Sequence, residues 1–250
     1  MKRQKIRKLL IIVSLLLFPI TLYYFSPALI INAGLNRIIN GSFIIFTLMF
    51  LLSIPFGRVF CAYLCPVGGL QECAFIINEK KPKQGWKNNI KYIIWCVWII
   101  VVVLCYFFSD SDLTINFFYE TENGISVSSI QSYIIYYGII SLTLIPAVLF
   151  GKRVFCHYFC WMAPFMALGT KLRRFLHLPG IHIKVKEKNK CISCGKCNKS
   201  CPMGIDVVNE IKKQSINNLE CIQCGACIDN CPNNVLSYGI IERKEIKNGK

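Results

Sequence analysis

The chain has 250 residues, 54% hydrophobic and 17% charged, with a formal net charge of +16 and 15 cysteines. A soluble domain of this length carries about 25% charged residues, so a single water-soluble globule is excluded. Basic residues flanking apolar runs speak against a nucleic-acid groove, and cysteines in metal-ligand spacing speak against a disulfide-stapled secreted domain.

Charge is absent from 9–36, 38–57, 92–109 and 123–151, and a membrane-crossing helix needs about 20 mainly apolar residues. The first run, 9–25, follows Lys2, Arg3, Lys5, Arg7 and Lys8. It lacks a small-x-small cleavage site and its apolar stretch is too long for a signal peptide, so it reads as an uncleaved anchor. Further spans are expected at 39–56, 90–108 and 132–150. Pro19, Pro55 and Pro146 sit in or near their ends, where freed carbonyls can find partners.

Charge sets the orientation. The 57–89 loop carries Arg58, Lys80, Lys81, Lys83 and Lys87, whereas the 109–131 loop carries Asp110, Asp112, Glu120 and Glu122 and no base. With the N-terminus in the cytoplasm, one base faces four acids outside, and 28 bases face nine acids inside. That asymmetry predicts four spans with both termini cytoplasmic in a bacterial plasma membrane. The uncharged stretch 154–170 is read as a helix leaving the membrane or lying on its surface, because a fifth span would carry Lys171, Arg173 and Arg174 outside. No Asp, Glu, Lys or Arg lies in the four span cores, which argues against a self-contained pump.

The sequence Arg58-Val59-Phe60-Cys61-Ala62-Tyr63-Leu64-Cys65 recurs as Arg153-Val154-Phe155-Cys156-His157-Tyr158-Phe159-Cys160. Each copy follows a Phe-Gly at the end of an even-numbered span, so the membrane part is a duplicated hairpin. Cysteines at i and i+4 share a helix face. Brought together, Cys61, Cys65, Cys156 and Cys160 present four sulfurs, enough for one further iron–sulfur cluster, with Arg58 and Arg153 beside them to favour thiolates. Plain redox dithiols and small packing residues are the alternatives. Cys96 and Cys105, within the third span, read as packing residues, and Cys73 has no twin in the second repeat. His157 is either a proton donor at the membrane face or an interfacial residue without a role.

From Ile181 the pattern changes to strand alternation through Lys186. Then Cys191, Cys194, Cys197 and Cys201-Pro202 are followed by Cys221, Cys224, Cys227 and Cys231-Pro232. Both runs read C-x2-C-x2-C-x3-C-P, the spacing of bacterial [4Fe–4S] ferredoxins. Three close thiolates wrap three corners of a cubane, and the fourth comes from the other repeat. One cluster therefore takes Cys191, Cys194, Cys197 and Cys231, the other Cys221, Cys224, Cys227 and Cys201. Zinc sites use paired C-x2-C units rather than two runs of four ending in Cys-Pro. The segment 189–235 is small enough to need such staples, and 235–241 is expected to pair with 181–187 as a second strand.

These motifs resemble the NapH/NosR-type membrane ferredoxins, which have C-x3-C-P motifs after spans and a cytoplasmic two-cluster tail. Gly57 through Gly68 matches well; the second copy departs, since Trp161 follows Cys160 and the proline comes only at Pro164. The resemblance implies electron transfer between a cytoplasmic redox partner and the quinone pool or a membrane partner, in the manner of a quinol dehydrogenase component. The runner-up is an iron–sulfur redox or iron sensor, or a non-catalytic subunit of a larger complex. The expected architecture is an α-helical membrane domain, 1–176, followed by a small α+β bacterial ferredoxin-like domain, 177–250. No catalytic residue is assigned, and the partners are lipid, a soluble or membrane redox protein, and quinone.

Overall fold

The computed structural model describes residues 2–82, 85–110, 112–214 and 216–241; Lys83, counted above among the loop bases, lies outside them. The chain opens with α1 (Lys2–Leu16), breaks at Leu17, and continues through α2 (Phe18–Thr21), a 3-10 turn (Tyr23–Phe25) and α3 (Pro27–Leu35). The expected first span at 9–25 is therefore not one helix. Pro19 lacks an N–H, and its ring would clash with a carbonyl one turn back, so the helix ends before it and restarts with the proline in its first turn. Ser26 then caps α3 by accepting from the Leu29 N–H at 3.4 Å.

The helix α4 (Gly41–Phe56) starts at an Asn40 cap. Its 16 residues span about 24 Å, short of the ~30 Å hydrocarbon thickness. Among the described residues, two helices are long and apolar enough to cross a membrane: the one ending in α7 (Ile90–Phe108) and α8 (Ile130–Phe150). Four full-length spans are thus not seen. α8 begins at Ile130, two residues earlier than expected, because the Ser129 hydroxyl caps it from outside.

The expected duplication is visible in the backbone. α4 ends at Gly57 (φ +61°) and α8 at Gly151 (φ +103°), left-handed conformations that glycine adopts without a Cβ penalty. Each is followed by a five-residue helix, α5 (Val59–Tyr63) or α9 (Val154–Tyr158). In the first copy α6 (Pro66–Cys73) starts directly after Cys65, with Pro66 at its first position. In the second, α10 (Ala163–Phe175) starts two residues later, which accounts for the displaced proline at Pro164. The 154–170 stretch thus forms a short helix and the first half of α10. α10 lies along α4, and Gly169 permits the approach: a Cβ there would fall 1.8 Å from Ser53 Oγ.

At the far end from the cysteine motifs, β1 (Ile38–Asn40) pairs in parallel with β2 (Thr114–Asn116) from the acidic loop. The tail folds around β3 (Gly180–Val185) and β4 (Leu236–Ile241), antiparallel with Ile183 opposite Tyr238, close to the expected pairing. Between them lie α11 (Lys196–Ser200), α12 (Val207–Lys212) and α13 (Ala226–Asp229). The buried side chains of Ile183, Met203, Ile205, Ile211, Ile222, Val235 and Leu236 make its small core.

Candidate metal centres

The two cysteine runs of the tail have the same local build. α11 and α13 each enter from a glycine in the left-handed region, Gly195 (φ +72°) and Gly225 (φ +73°), and the residue before each second cysteine is also left-handed, Ser193 (φ +53°) and Gln223 (φ +56°). The chain therefore curls twice in three residues, leaving the first three thiols of each run around a hollow. One cavity is lined by Cys191, Cys194, Cys197 and Cys231. The other is lined by Cys201, Cys221, Cys224 and Cys227, with Ile183, Met203, Ile205 and Ile222 closing it. Each cavity thus draws three cysteines from one run and the last from the other.

The cysteines line walls rather than converging on a point. Among the described residues, no three His, Cys, Asp or Glu side chains gather tightly enough to hold a single metal ion. Four thiols around a hollow suit a polynuclear group better than tetrahedral zinc. Burial pushes the thiol of Cys201 up to about 11 and that of Cys221 up to about 12. Loading a metal group there must release protons, as thiolate ligation requires.

A second set of four cysteines forms where the repeats meet. Cys61, Cys65, Cys156 and Cys160 are all buried. They are near enough that Cys156 bears on the thiols of both Cys61 and Cys65, and Cys61 and Cys65 on that of Cys160. Gln71, on α6, joins the copies: its Nε2 donates to Cys156 Sγ at 3.1 Å and its Oε1 accepts from the Phe155 N–H at 3.1 Å. Burial raises the thiols of Cys61 and Cys65, while a hydrogen bond to Cys160 outweighs burial and, with Arg153 nearby, lowers that of Cys156.

Both motif arginines reach this set. Arg153 and Arg58 are buried, and the Nε of each lacks a hydrogen-bond partner among the described residues. Two buried guanidiniums with unused donors beside four thiols fit a thiolate-ligated group, which carries net negative charge.

Carboxylates engage both guanidiniums. Arg153 donates to Glu72 Oε1 at 2.6 Å, and Arg7 grips the same carboxylate from both Nη1 and Nη2, at 2.8 and 2.9 Å. Arg58 donates to Glu220 Oε2 at 2.9 Å and to the Leu219 carbonyl at 3.0 Å, and the Lys91 ammonium donates to Glu220 Oε1. Burial opposes ionisation of Glu220, yet Arg58 and Lys91 bring it down to about 2. Glu220 immediately precedes Cys221, so this ion cluster ties the second tail cavity to the first R-V-F-C motif.

Further contacts seat the same side of the tail. His157 Nε2 donates to the Met203 carbonyl at 2.9 Å, Gln4 donates to the Cys224 carbonyl at 3.0 Å, and Arg3 pairs with Asp229. Burial lowers His157 to about 4, so this fully buried imidazole is a neutral strut between the helical part and the tail. Cys96 is exposed on the surface of α7, Cys105 is partly buried beside Gly34, and Cys73 is exposed; none joins the four.

Sequence reasoning missed Glu220, Glu72, Gln71 and Lys91. One signal was available. The residue before the first cysteine is Lys190 in one run and Glu220 in the other, and a charge inversion between repeats marks a position with a different neighbour.

Residues 183–232 match the 4Fe-4S dicluster domain family, and residues 41–84 and 134–179 each match the 4Fe-4S binding domain family. An uncharacterized protein of Methanocaldococcus jannaschii is 26% identical over 65% of this chain and 66% of its own length. YccM of Escherichia coli K12, provisionally named an electron transport protein, is 24% identical over 75% of this chain and 53% of its own. NirI of Paracoccus denitrificans is 25% identical over 72% of this chain and 28% of its own. The chain thus spans from about two thirds to under a third of these relatives. No solved structure matches it. The chain carries 4Fe–4S domains of the ferredoxin type, in line with the resemblance carried by its motifs.

Proposed function

We propose, on the premise that this is a 4Fe–4S protein of the ferredoxin type, that it is an integral membrane electron-transfer protein. It passes electrons between a cytoplasmic redox partner and the quinone pool or a membrane partner. The observation that carries this reading is the sorting of eight tail cysteines into two cavities, each with three from one run and the last from the other. Cys191, Cys194, Cys197 and Cys231 hold one [4Fe–4S] cluster; Cys221, Cys224, Cys227 and Cys201 hold a second. When bound, such clusters supply one-electron carriage. The electron transport name of the relative YccM agrees with that role.

The chain's own residues do the remaining work. Ile183, Met203, Ile205 and Ile222 keep water from the second cavity. Glu220 ties that cavity to Arg58, and Arg58 bears on Cys61 and Cys160. Cys61, Cys65, Cys156 and Cys160 hold a third cluster at the membrane face, a choice over dithiols supported by the 4Fe-4S binding family matches that contain both pairs.

The membrane reading draws support from α7 and α8. Ile93, Val97, Ile100, Val103 and Phe107 on α7, and Ile134, Ile145 and Leu149 on α8, are exposed. Apolar surface of that extent needs lipid to cover it. In this reading the tail and both termini are cytoplasmic, on the lysine-rich side.

Iron and sulfide quantification on anaerobically purified protein tests the core of the proposal. At least about eight irons per chain, reversibly reduced by a low-potential donor, is the expected result; well under eight would overturn the two-cluster assignment. A periplasm-active reporter fused to the C-terminus should stay silent.

A further inference from the structure

The two tail cavities face different surroundings. Glu220, the Met203 carbonyl and the Cys224 carbonyl lie on or beside the second cavity, and each is engaged by the helical part, through Arg58 and Lys91, His157 and Gln4 respectively. The rim of the first cavity is open instead. Ile192 is 66% exposed, and Lys190, Ser193, Cys194 and Pro232 are exposed beside it.

Charge distinguishes this rim. Residues 184–199 contain six lysines and one glutamate. Lys186, Lys188, Lys190, Lys196 and Lys199 are exposed, and Glu187 is spent on Lys190 at 2.8 Å. A small apolar centre within a charged border is the anatomy of a transient protein interface. A border this rich in lysine, although Asp206 and Glu210 sit on the α12 side of it, steers an oppositely charged partner and raises its rate of encounter.

We infer that the open rim of the Cys191–Cys194–Cys197–Cys231 cavity is the docking face for a soluble, acidic one-electron carrier protein. This deepens the proposed function by naming the partner's class and the port it uses. The inward-facing cavity is left to communicate with the membrane-side cysteines. One electron crosses per encounter, the carrier losing it as the chain gains it or the reverse, with no bond made or broken. An anionic lipid surface is the other polyanion such lysines attract. The exposed Ile192 and Cys194 at the centre favour a protein, because the site of electron entry must face what delivers the electron.

The test uses the full chain in nanodiscs of zwitterionic lipid, with flavodoxin, an acidic one-electron carrier, as the probe. Its Kd is measured at about 50 and about 300 mM salt for the wild type and for Lys188→Glu/Lys190→Glu/Lys196→Glu. The expected result is wild-type binding that weakens about tenfold or more with salt, and a triple variant about tenfold weaker at low salt with little salt dependence. Equal affinities for the two proteins, or no wild-type binding, would overturn the inference. So would Lys188, Lys190 and Lys196 side chains that flavodoxin leaves open to amine modification in zwitterionic discs but that phosphatidylglycerol discs protect, since the face would then belong to the membrane. Iron content of the same samples separates the two readings: salt-sensitive docking without iron removes the electron-transfer proposal and leaves the docking face standing.

Discussion

Arg153 donates from Nη1 to the carbonyl oxygen of Cys61 at 2.8 Å, across 92 residues of sequence. The arginine of the second repeat thus reaches the first cysteine of the first. Its counterpart Arg58 turns the other way, to Glu220 in the tail. Two arginines in matching motifs take different carboxylates, Glu72 and Glu220, and this broken symmetry connects repeat to repeat and repeat to tail.

Removing Glu220 should loosen the tail from the helices. In Glu220→Ala, Arg58 and Lys91 remain buried without a carboxylate, and stripping one side of a buried ion cluster costs about 3–5 kcal/mol. Amide exchange across 219–231 should speed by about 100-fold or more, while exchange in α8 stays as it was. Unchanged exchange at 219–231 would show that the ion cluster does not hold the junction.

Acid should act through the same carboxylate. Glu220 is depressed to about 2 in the folded chain, against roughly 4.3 for an ordinary glutamate. The unfolded chain therefore takes up the proton first, and the stability this group confers is whole above about pH 5 and lost as pH falls toward 2. Exchange at 219–231, corrected for its intrinsic pH dependence, should accelerate over that window in the wild type. Glu220→Gln should flatten the curve.

Cysteine crossing predicts which substitutions share a phenotype. Cys231→Ser should alter the same EPR signal as Cys191→Ser, although Cys231 belongs to the other run, and should cost about four irons. Cys201→Ser should instead group with Cys221→Ser. Grouping by run rather than by cavity would refute the assignment.

The quartet where the repeats meet makes a separate claim. A Cys61→Ser/Cys65→Ser/Cys156→Ser/Cys160→Ser variant should lose an EPR signal distinct from the pair in the tail, with a further loss of about four irons. A spectrum identical to the wild type would leave these four thiols without a cluster.

Local rules carried the sequence reading a long way. The C-x2-C-x2-C-x3-C-P runs dictate where thiols fall, because ligand spacing is fixed by the cluster's own dimensions, and the alternation around 181–186 gave β3. The Phe-Gly ends and the paired R-V-F-C motifs gave the duplication, since a repeated sequence makes the same turn twice. Composition does not fix helix length at the first two expected spans. It averages over a window, whereas Pro19 breaks α1 at Leu17 and the Asn40 cap shortens α4 to 16 residues.

The 15 cysteines and the charge of +16 were present from the start. By spacing alone, the sequence determined which cysteines form the tail's two groups and that a second set of four exists. Only the tertiary structure decided that Cys61, Cys65, Cys156 and Cys160 are gathered at one place. It also decided that Glu220 rather than any nearer acid serves Arg58, and that one tail cavity faces the helices while the other opens outward. Those outcomes depend on contacts between segments far apart in sequence, where packing, burial and the pairing of buried charge choose partners that no local pattern encodes.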